Sequence, residues 1–252
     1  MLIEAVELEA RARAWQDGAL AAVCDTIEPW EHGTIARAAA YPSYYSFNLV
    51  RVVDDPGMSA EALAAFADEA LAGLAHRRID FDDVLAADAR RSAFEALGYR
   101  SERLVWMRHD DPGSAPAAQA PVEEVPYDAV EHLRAIWVGE DNMPEVEAFF
   151  AQRREVAMLR GTQVLGLYED GEIVAYAQLG RSDGSSEIEQ VFVAPRCRGR
   201  GLGTALTCAA IKAFGDVEDL WICADDEGRP KELYARLGFR PAWTAMEFLR
   251  LP

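Results

Sequence analysis

Residues 191–206 read VFVAPRCRGRGLGTAL. A β-rich run ends at Pro195, and Arg198, Gly201 and Gly203 follow with R-x-x-G-x-G spacing, directly before the helix-forming stretch GTALTCAAIKAF at 203–214. Glycines there let the chain turn tightly and let backbone N–H groups approach a ligand, while a helix N-terminus adds partial positive charge. A strand, a glycine-rich turn and a helix in this order form an anion cradle suited to a diphosphate. From the residues alone, a glycine turn that merely packs a helix on a sheet stays open. The marks of other nucleotide folds, G-x-G-x-x-G with a later acid or a G-K-[ST] ending, do not occur in this stretch.

Working outward, the elements around the turn are legible. Helical periodicity runs through YDAVEHLRAIWVG (127–139) and PEVEAFFAQRREVAMLR (144–160), where Pro144 suits a first helical turn. TQVLGLYEDGEIVAYAQLG (162–180) reads as two strands joined by a D-G hairpin, and EIEQVFVAP (187–195) as a third. DLWICA is a further strand, PKELYARLG a short helix capped by Gly238, and WTAMEFLRL a last strand. With one more strand at VEEVPY (122–127), residues 122–252 make an α+β domain with a mixed β-sheet flanked by helices.

The short helix has an echo. ELYARLGFRP (232–241) matches SAFEALGYRS (92–101), Gly98 falling on Gly238 and Phe94 on Tyr234. Around the first copy, YSFNLVRVV, SAEALAAFADEALAGLA, RIDFDDV, ADARRSAFEALG and ERLVWMRH read strand, helix, strand, helix, strand, the order of residues 187–250. DPGSAPAAQAP (111–121) is proline-rich without hydrophobic periodicity. These observations give two similar units, 1–112 and 122–252, joined by a linker at 113–121.

Half of the 252 residues are hydrophobic, enough for a full core. No run approaches the roughly 20 apolar residues that span a bilayer, and MLIEAVELEA is acidic where a secretory signal would be basic, so the expected location is the cytoplasm, with no membrane partner. A formal charge of −18 argues against a nucleic-acid partner and suits an amine. Cys24, Cys197, Cys208 and Cys223 lack C-x-x-C or metal-ligand spacing and read as free thiols, so no metal is expected.

The segment Val193, Pro195, Arg198, Gly201, Gly203 resembles the cofactor motif V-x-P-x-x-R/Q-x-x-G-x-G/A of the GNAT superfamily of N-acetyltransferases. The family's second marker, a tyrosine on the following short helix with G-F after it, matches Tyr234, Gly238 and Phe239. The resemblance implies acetyl-CoA as co-substrate, lying between two splayed strands. Val191, Phe192 and Val193 would then pair their backbone with its pantetheine arm, and Arg198, Gly199, Arg200, Gly201, Leu202, Gly203 and Thr204 would hold the diphosphate. It also implies direct transfer of an acetyl group to a primary amine, read as that of a small molecule. The Val193 N–H would stabilise the oxyanion and Tyr234 would be the general acid. A carboxylate on the splayed strand serves some members as base, which singles out Glu187 and Glu189. A period of two puts both on the face of Val191 and Val193, with Asp225 and Asp226 as later choices. Where many members carry an asparagine before the tyrosine helix, this chain reads ADDEGRPKELY. The four histidines are expected to be packed or solvated.

The first unit departs from the motif: NLVRVV leads into DDPGMSAEAL, with acids where a diphosphate would sit, and Phe94 lacks the hydroxyl of Tyr234. It resembles a degenerate GNAT-like half, as in tandem enzymes such as mycothiol synthase, with AAYPSYYSFN (39–48) set either in an acceptor pocket or in the interface between units. Other readings are a non-catalytic acyl-CoA-binding module, a protein N-terminal or lysine acetyltransferase, and a hydrolase or oxidoreductase that uses the loop for another nucleotide.

Overall fold

The computed structural model describes residues 2–114, 120–141, 146–182, 184–215 and 217–252. Pro144 and most of the linker lie outside them. Helix α1 (Leu2–Val23) comes first, followed by β1 (Thr26–Trp30), β2 (Gly33–Arg37), β3 (Leu49–Val52), α2 (Ala60–Ala70) and β4 (Arg77–Phe81). Two short helices, α3 (Val84–Asp88) and α4 (Arg91–Ala96), then lead into β5 (Arg100–His109). Sequence periodicity suggests one helix there; the Asp83 side chain caps Leu85 and Ala86 N–H groups and starts α3 early, so the stretch is divided.

The second unit runs β6 (Val122–Glu124), α5 (Glu131–Asp141), α6 (Val146–Leu159), β7 (Gln163–Glu169), β8 (Glu172–Ser182), β9 (Ser185–Val193), α7 (Leu202–Phe214), β10 (Asp219–Asp225), α8 (Pro230–Arg236) and β11 (Phe239–Arg250). Asp170 and Gly171, both at positive φ (51° and 83°), make the two-residue turn between β7 and β8 that the D-G signal demands.

Among the described residues, eleven strands form one mixed sheet, in the order β1-β2-β3-β4-β11-β5-β10-β9-β8-β7-β6. Pairs β3/β4 and β9/β10 are parallel. The middle of this order is crossed between units: β11 lies between β4 and β5, while β5 lies between β11 and β10. Each unit's last strand therefore completes the other's sheet. Phe94 of α4 stacks on Phe248 of β11, with ring centroids 4.3 Å apart. Tyr234 of α8 belongs to the core that contains Val105 and Met107 of β5. Burying these side chains stabilises both units only when the strands are exchanged.

On the opposite face, α1 packs across the exchange through Ala12 and Trp15, against Trp106, Trp221 and Trp243. No helix among the described residues is long and apolar enough to cross a membrane.

Candidate active site

β9 and β10 pair only from Asp219↔Ser185 to Ile222↔Ile188, after which five residues of β9 run on without β10. β9 keeps its partner on the other side, β8, as far as Val193↔Ala175. A gap thus opens between the strands from Glu189 onward. Ala194 N–H donates to Val174 O (2.9 Å), and in an antiparallel ladder the bonded residues alternate, so Val191 and Val193 turn their N–H groups away from β8, toward the gap.

At the end of the gap comes the glycine turn. Gly199 and Gly201 take φ of 76° and 80°, the left-handed region, and space is open where a Cβ would stand. Gly201 starts α7 without a side-chain cap, leaving the first-turn N–H groups of Leu202, Gly203 and Thr204 outside the helix ladder. Arg198 donates Nε–H to Val193 O (3.1 Å) and lies over the Phe192 ring, which braces the turn against β9. Arg200 points elsewhere, into a two-pronged ion pair with Glu169 (2.8 and 2.6 Å) on the exposed surface.

The expectation that Glu187, Glu189, Val191 and Val193 share one face is overturned. The register of β8 and β9 jumps from Leu179↔Ile188 to Gln178↔Gln190, which leaves Glu189 as a β-bulge. The bulge reverses the alternation: Val191 and Val193 pack on the core under α7, whereas both carboxylates lie on the α1 and α6 side. There Glu187 Oε2 accepts from Trp15 Nε1–H of α1 (2.7 Å). Glu189 pairs with Arg160 just beyond α6 (2.6 Å) and lies so close over Gly180 that a Cβ there would stand 2.4 Å from its oxygen.

A cavity of about 790 Å3 joins these groups. Glu187, Glu189, Val191 and Tyr234 all line it, so it reaches through the strand gap from the α1 face to α8. Tyr44, Tyr45 and Phe47 of the first unit form part of its wall, and Tyr44 also meets Phe149 of α6 edge-on at 5.7 Å. The aromatic segment 39–48 therefore serves both as cavity wall and as interface. Asn48, fully buried, ties that segment together, accepting from Ala38 N–H and donating to Tyr41 O and Tyr44 O.

Burial, and then the neighbouring Glu189 charge, pushes the Glu187 carboxyl up to about 7, against the opposing Trp15 hydrogen bond. Burial and nearby Cys223 push the Tyr234 phenol up to about 12, which keeps it protonated at neutral pH. Asp225 accepts from Glu227 N–H, and Asp226 pairs with Arg103 and Lys231; both hold the loop before α8. The histidines bond elsewhere, His32 to Asp54 and His76, His109 and His132 to backbone carbonyls.

Trp15, Arg153 and Arg160 escape a reading of the sequence. One signal was present: Gln178 interrupts the apolar run 173–179 of β8 and is buried, and its side chain and that of Gln190 meet Arg134 and Arg153.

Residues 160–241 match the acetyltransferase (GNAT) domain. Mycothiol acetyltransferase of Nocardia farcinica is 39% identical over 89 residues, which cover 33% of this chain and 28% of that relative. The chain thus spans under a third of that relative's length in the match. Among solved structures, a GCN5-related N-acetyltransferase from Kribbella flavida is similar over 96% of this chain and 95% of its own (TM-score 0.59, 18% identity). A tandem GNAT protein from the clavulanic acid biosynthesis pathway is similar over 81% of this chain and 75% of its own (TM-score 0.50, 19% identity). These likenesses fit the tandem arrangement of the sheet.

Proposed function

From the match of residues 160–241 to the acetyltransferase (GNAT) domain, we propose that the protein transfers an acetyl group from acetyl-CoA to the primary amine of a small molecule. The single observation that carries this reading is the gap between β9 and β10, which has the glycine turn at one end and both Glu187 and Tyr234 on its cavity.

The residues present fit the co-substrate. The open left-handed turn at Gly199 and Gly201, with the free N–H groups that begin α7, suits a diphosphate. Val191 and Val193 offer edge N–H groups for an extended amide arm. When bound, acetyl-CoA supplies a thioester, which is an activated acetyl group with a thiolate leaving group.

The protein's own groups divide the remaining work. Glu187, held near neutrality, takes the proton of the attacking ammonium or amine. The Val193 N–H is the donor for the carbonyl oxygen as it gains charge; such donors contribute roughly 3–4 kcal/mol. As the C–N bond forms and the C–S bond breaks, Tyr234 gives its proton to the departing sulfur. Glu189 is the less suited base, because Arg160 already neutralises it.

Calorimetric titration of acetyl-CoA tests the reading. One site per chain is expected, with binding weakened more than about 100-fold in a Gly201→Glu, Gly203→Glu variant, where carboxylates replace the open cradle. Two sites per chain would give the first unit a live cradle, and no binding would end the enzyme reading.

A further inference from the structure

Arg134 of α5 and Arg153 of α6 are 2% and 7% exposed, and both reach into the same polar knot behind β8 and β9. Gln178 Oε1 accepts from Arg134 Nε (3.1 Å) and makes a long contact with Arg153 Nη2 (3.5 Å). Arg153 Nη2 also donates to Gln190 Oε1 (2.6 Å), which in turn accepts from the Tyr176 hydroxyl (2.9 Å). Two guanidinium groups therefore share neutral amides. Among the described residues neither forms an ion pair, although the chain carries 18 surplus negative charges.

Buried cations that lack direct partners are costly, and the carboxylate that acts on Arg153 through space, Glu189, is already paired with Arg160. Arg153 Nε and Nη1 have no hydrogen-bond partner at all, and Arg153 lines the 790 Å3 cavity. Its neighbours there are the rings of Trp137 and Phe149, 4.9 and 5.9 Å from the guanidinium carbon. Aromatic faces hold a guanidinium in place but do not satisfy its N–H groups. Gln190, which Arg153 grips, immediately precedes Val191 at the strand gap. The side chain that carries the unsatisfied donors thus lines the same cavity as Glu187, Val191 and Tyr234.

We propose that Arg153 is a specificity-determining residue that receives an anionic group of the acceptor, so that the molecule acetylated is a zwitterion: a small amine bearing a carboxylate or a phosphate. This rests on the transferase reading for the amine, but the anion site itself does not need it. Arg134 adds a second positive charge behind Arg153, and Trp137, Phe149 and Tyr44 provide apolar walls for the rest of the molecule.

Matched probes separate charge from shape. Each of the standard amino acids is compared with its carboxamide, and phosphoethanolamine with ethanolamine. Binding is measured by calorimetry without coenzyme, and acetyl transfer by thiol release at saturating acetyl-CoA. At least one charged member is expected to bind about 10- to 100-fold more tightly than its neutral mate, the range for hydrogen bonds to charged groups. The arm that shows the preference identifies carboxylate or phosphate. Arg153→Met is expected to bring the ratio close to one and Arg153→Lys to restore part of it, with acetyl-CoA affinity unchanged in both. Neutral mates that bind equally well, absence of binding by every charged probe, or loss of coenzyme affinity in Arg153→Met would each overturn the inference. Charged probes that bind without being acetylated leave the anion site standing and sink the transferase reading. Acetylation of neutral amines alone does the reverse.

Discussion

The turn after β3 and the turn after β9 occupy equivalent places in the two units, and they have opposite chemistry. After β9 the chain takes left-handed glycines and enters α7 with uncapped N–H groups. After β3 it meets Asp55, whose carboxylate accepts from Gly57 N–H (3.0 Å) and from Arg90 (2.5 Å), and α2 then starts with the Ser59 hydroxyl as its cap. In the first unit the chain's own side chains take up the donors at this turn, Asp55 those of Gly57 and Arg90 and Ser59 that of Ala62.

The strands behave in the same way. β3 and β4 stay paired to the end, Val52↔Phe81 followed by Asp82 N–H to Val52 O at 2.9 Å, and the buried Arg51–Asp82 ion pair crosses the same seam. β9 and β10 part after Ile188. On the proposed function, one layout thus provides a binding site where the parallel pair parts and a brace where it stays closed. The closed copy provides a rigid partner that holds β11 and contributes aromatic cavity wall to the open one.

Exchanging the aromatics of the echoed helix should break the comparison most strongly. Tyr234→Phe makes α8 resemble α4, and on the proposed mechanism kcat is expected to fall about 10²- to 10⁴-fold, the usual contribution of a positioned acid, with coenzyme affinity retained. Phe94→Tyr in the closed unit should leave kcat alone. Its hydroxyl would be buried against Phe81, Tyr99 and Phe248, which costs about 1–3 kcal/mol. Steady-state kinetics and thermal melts read both; unchanged turnover in Tyr234→Phe removes Tyr234 from the mechanism.

Glu187→Gln comes next, with an expected loss of about 100-fold in kcat and disappearance of the acid limb near pH 7. Stability should move the other way. The folded carboxyl titrates at about 7 against an ordinary 4.5, so the native state holds more protons between those values and wild-type stability falls as pH rises through that window. The variant escapes that loss and should be more stable than wild type at pH 8, by at most about 3 kcal/mol, with the difference vanishing toward pH 4. Melts across pH 4–9 that show no divergence would contradict the placement of the charge.

Much of the fold was legible in the sequence because period-two runs, D-G and glycine turns are local. The exchange of β5 and β11 was not, since each follows an echoed helix as a strand and nothing local to either sequence says whether it lies beside β4 or β10. The bulge at Glu189 was hidden for a related reason: a register jump is set by the partner strand, and although the adjacent polar residues Glu189 and Gln190 break the alternation of β9, the sequence does not say which of them is the extra residue. The Gly201 turn and Tyr234 were singled out by their resemblance to the family's motif, whereas the partners of the carboxylates had no local signal. Trp15 lies 172 residues from Glu187, on a helix whose apolar residues show no single stripe.

That distant contact gives the smallest effect and the sharpest one. If the closed unit only braces the open one, Trp15→Phe should cost stability through lost packing and leave the pH profile in place. The Trp15 N–H favours the charged form of Glu187, so its removal should instead move the acid limb of kcat/KM above pH 7. The rate at pH 7 would then fall a few-fold and recover by about pH 9, because the base is still present and only its proton is held more tightly. Loss at all pH values alike would mark Trp15 as packing alone. A shifted limb would make α1 a positioning element, through which the first unit sets the charge of a base that belongs to the second.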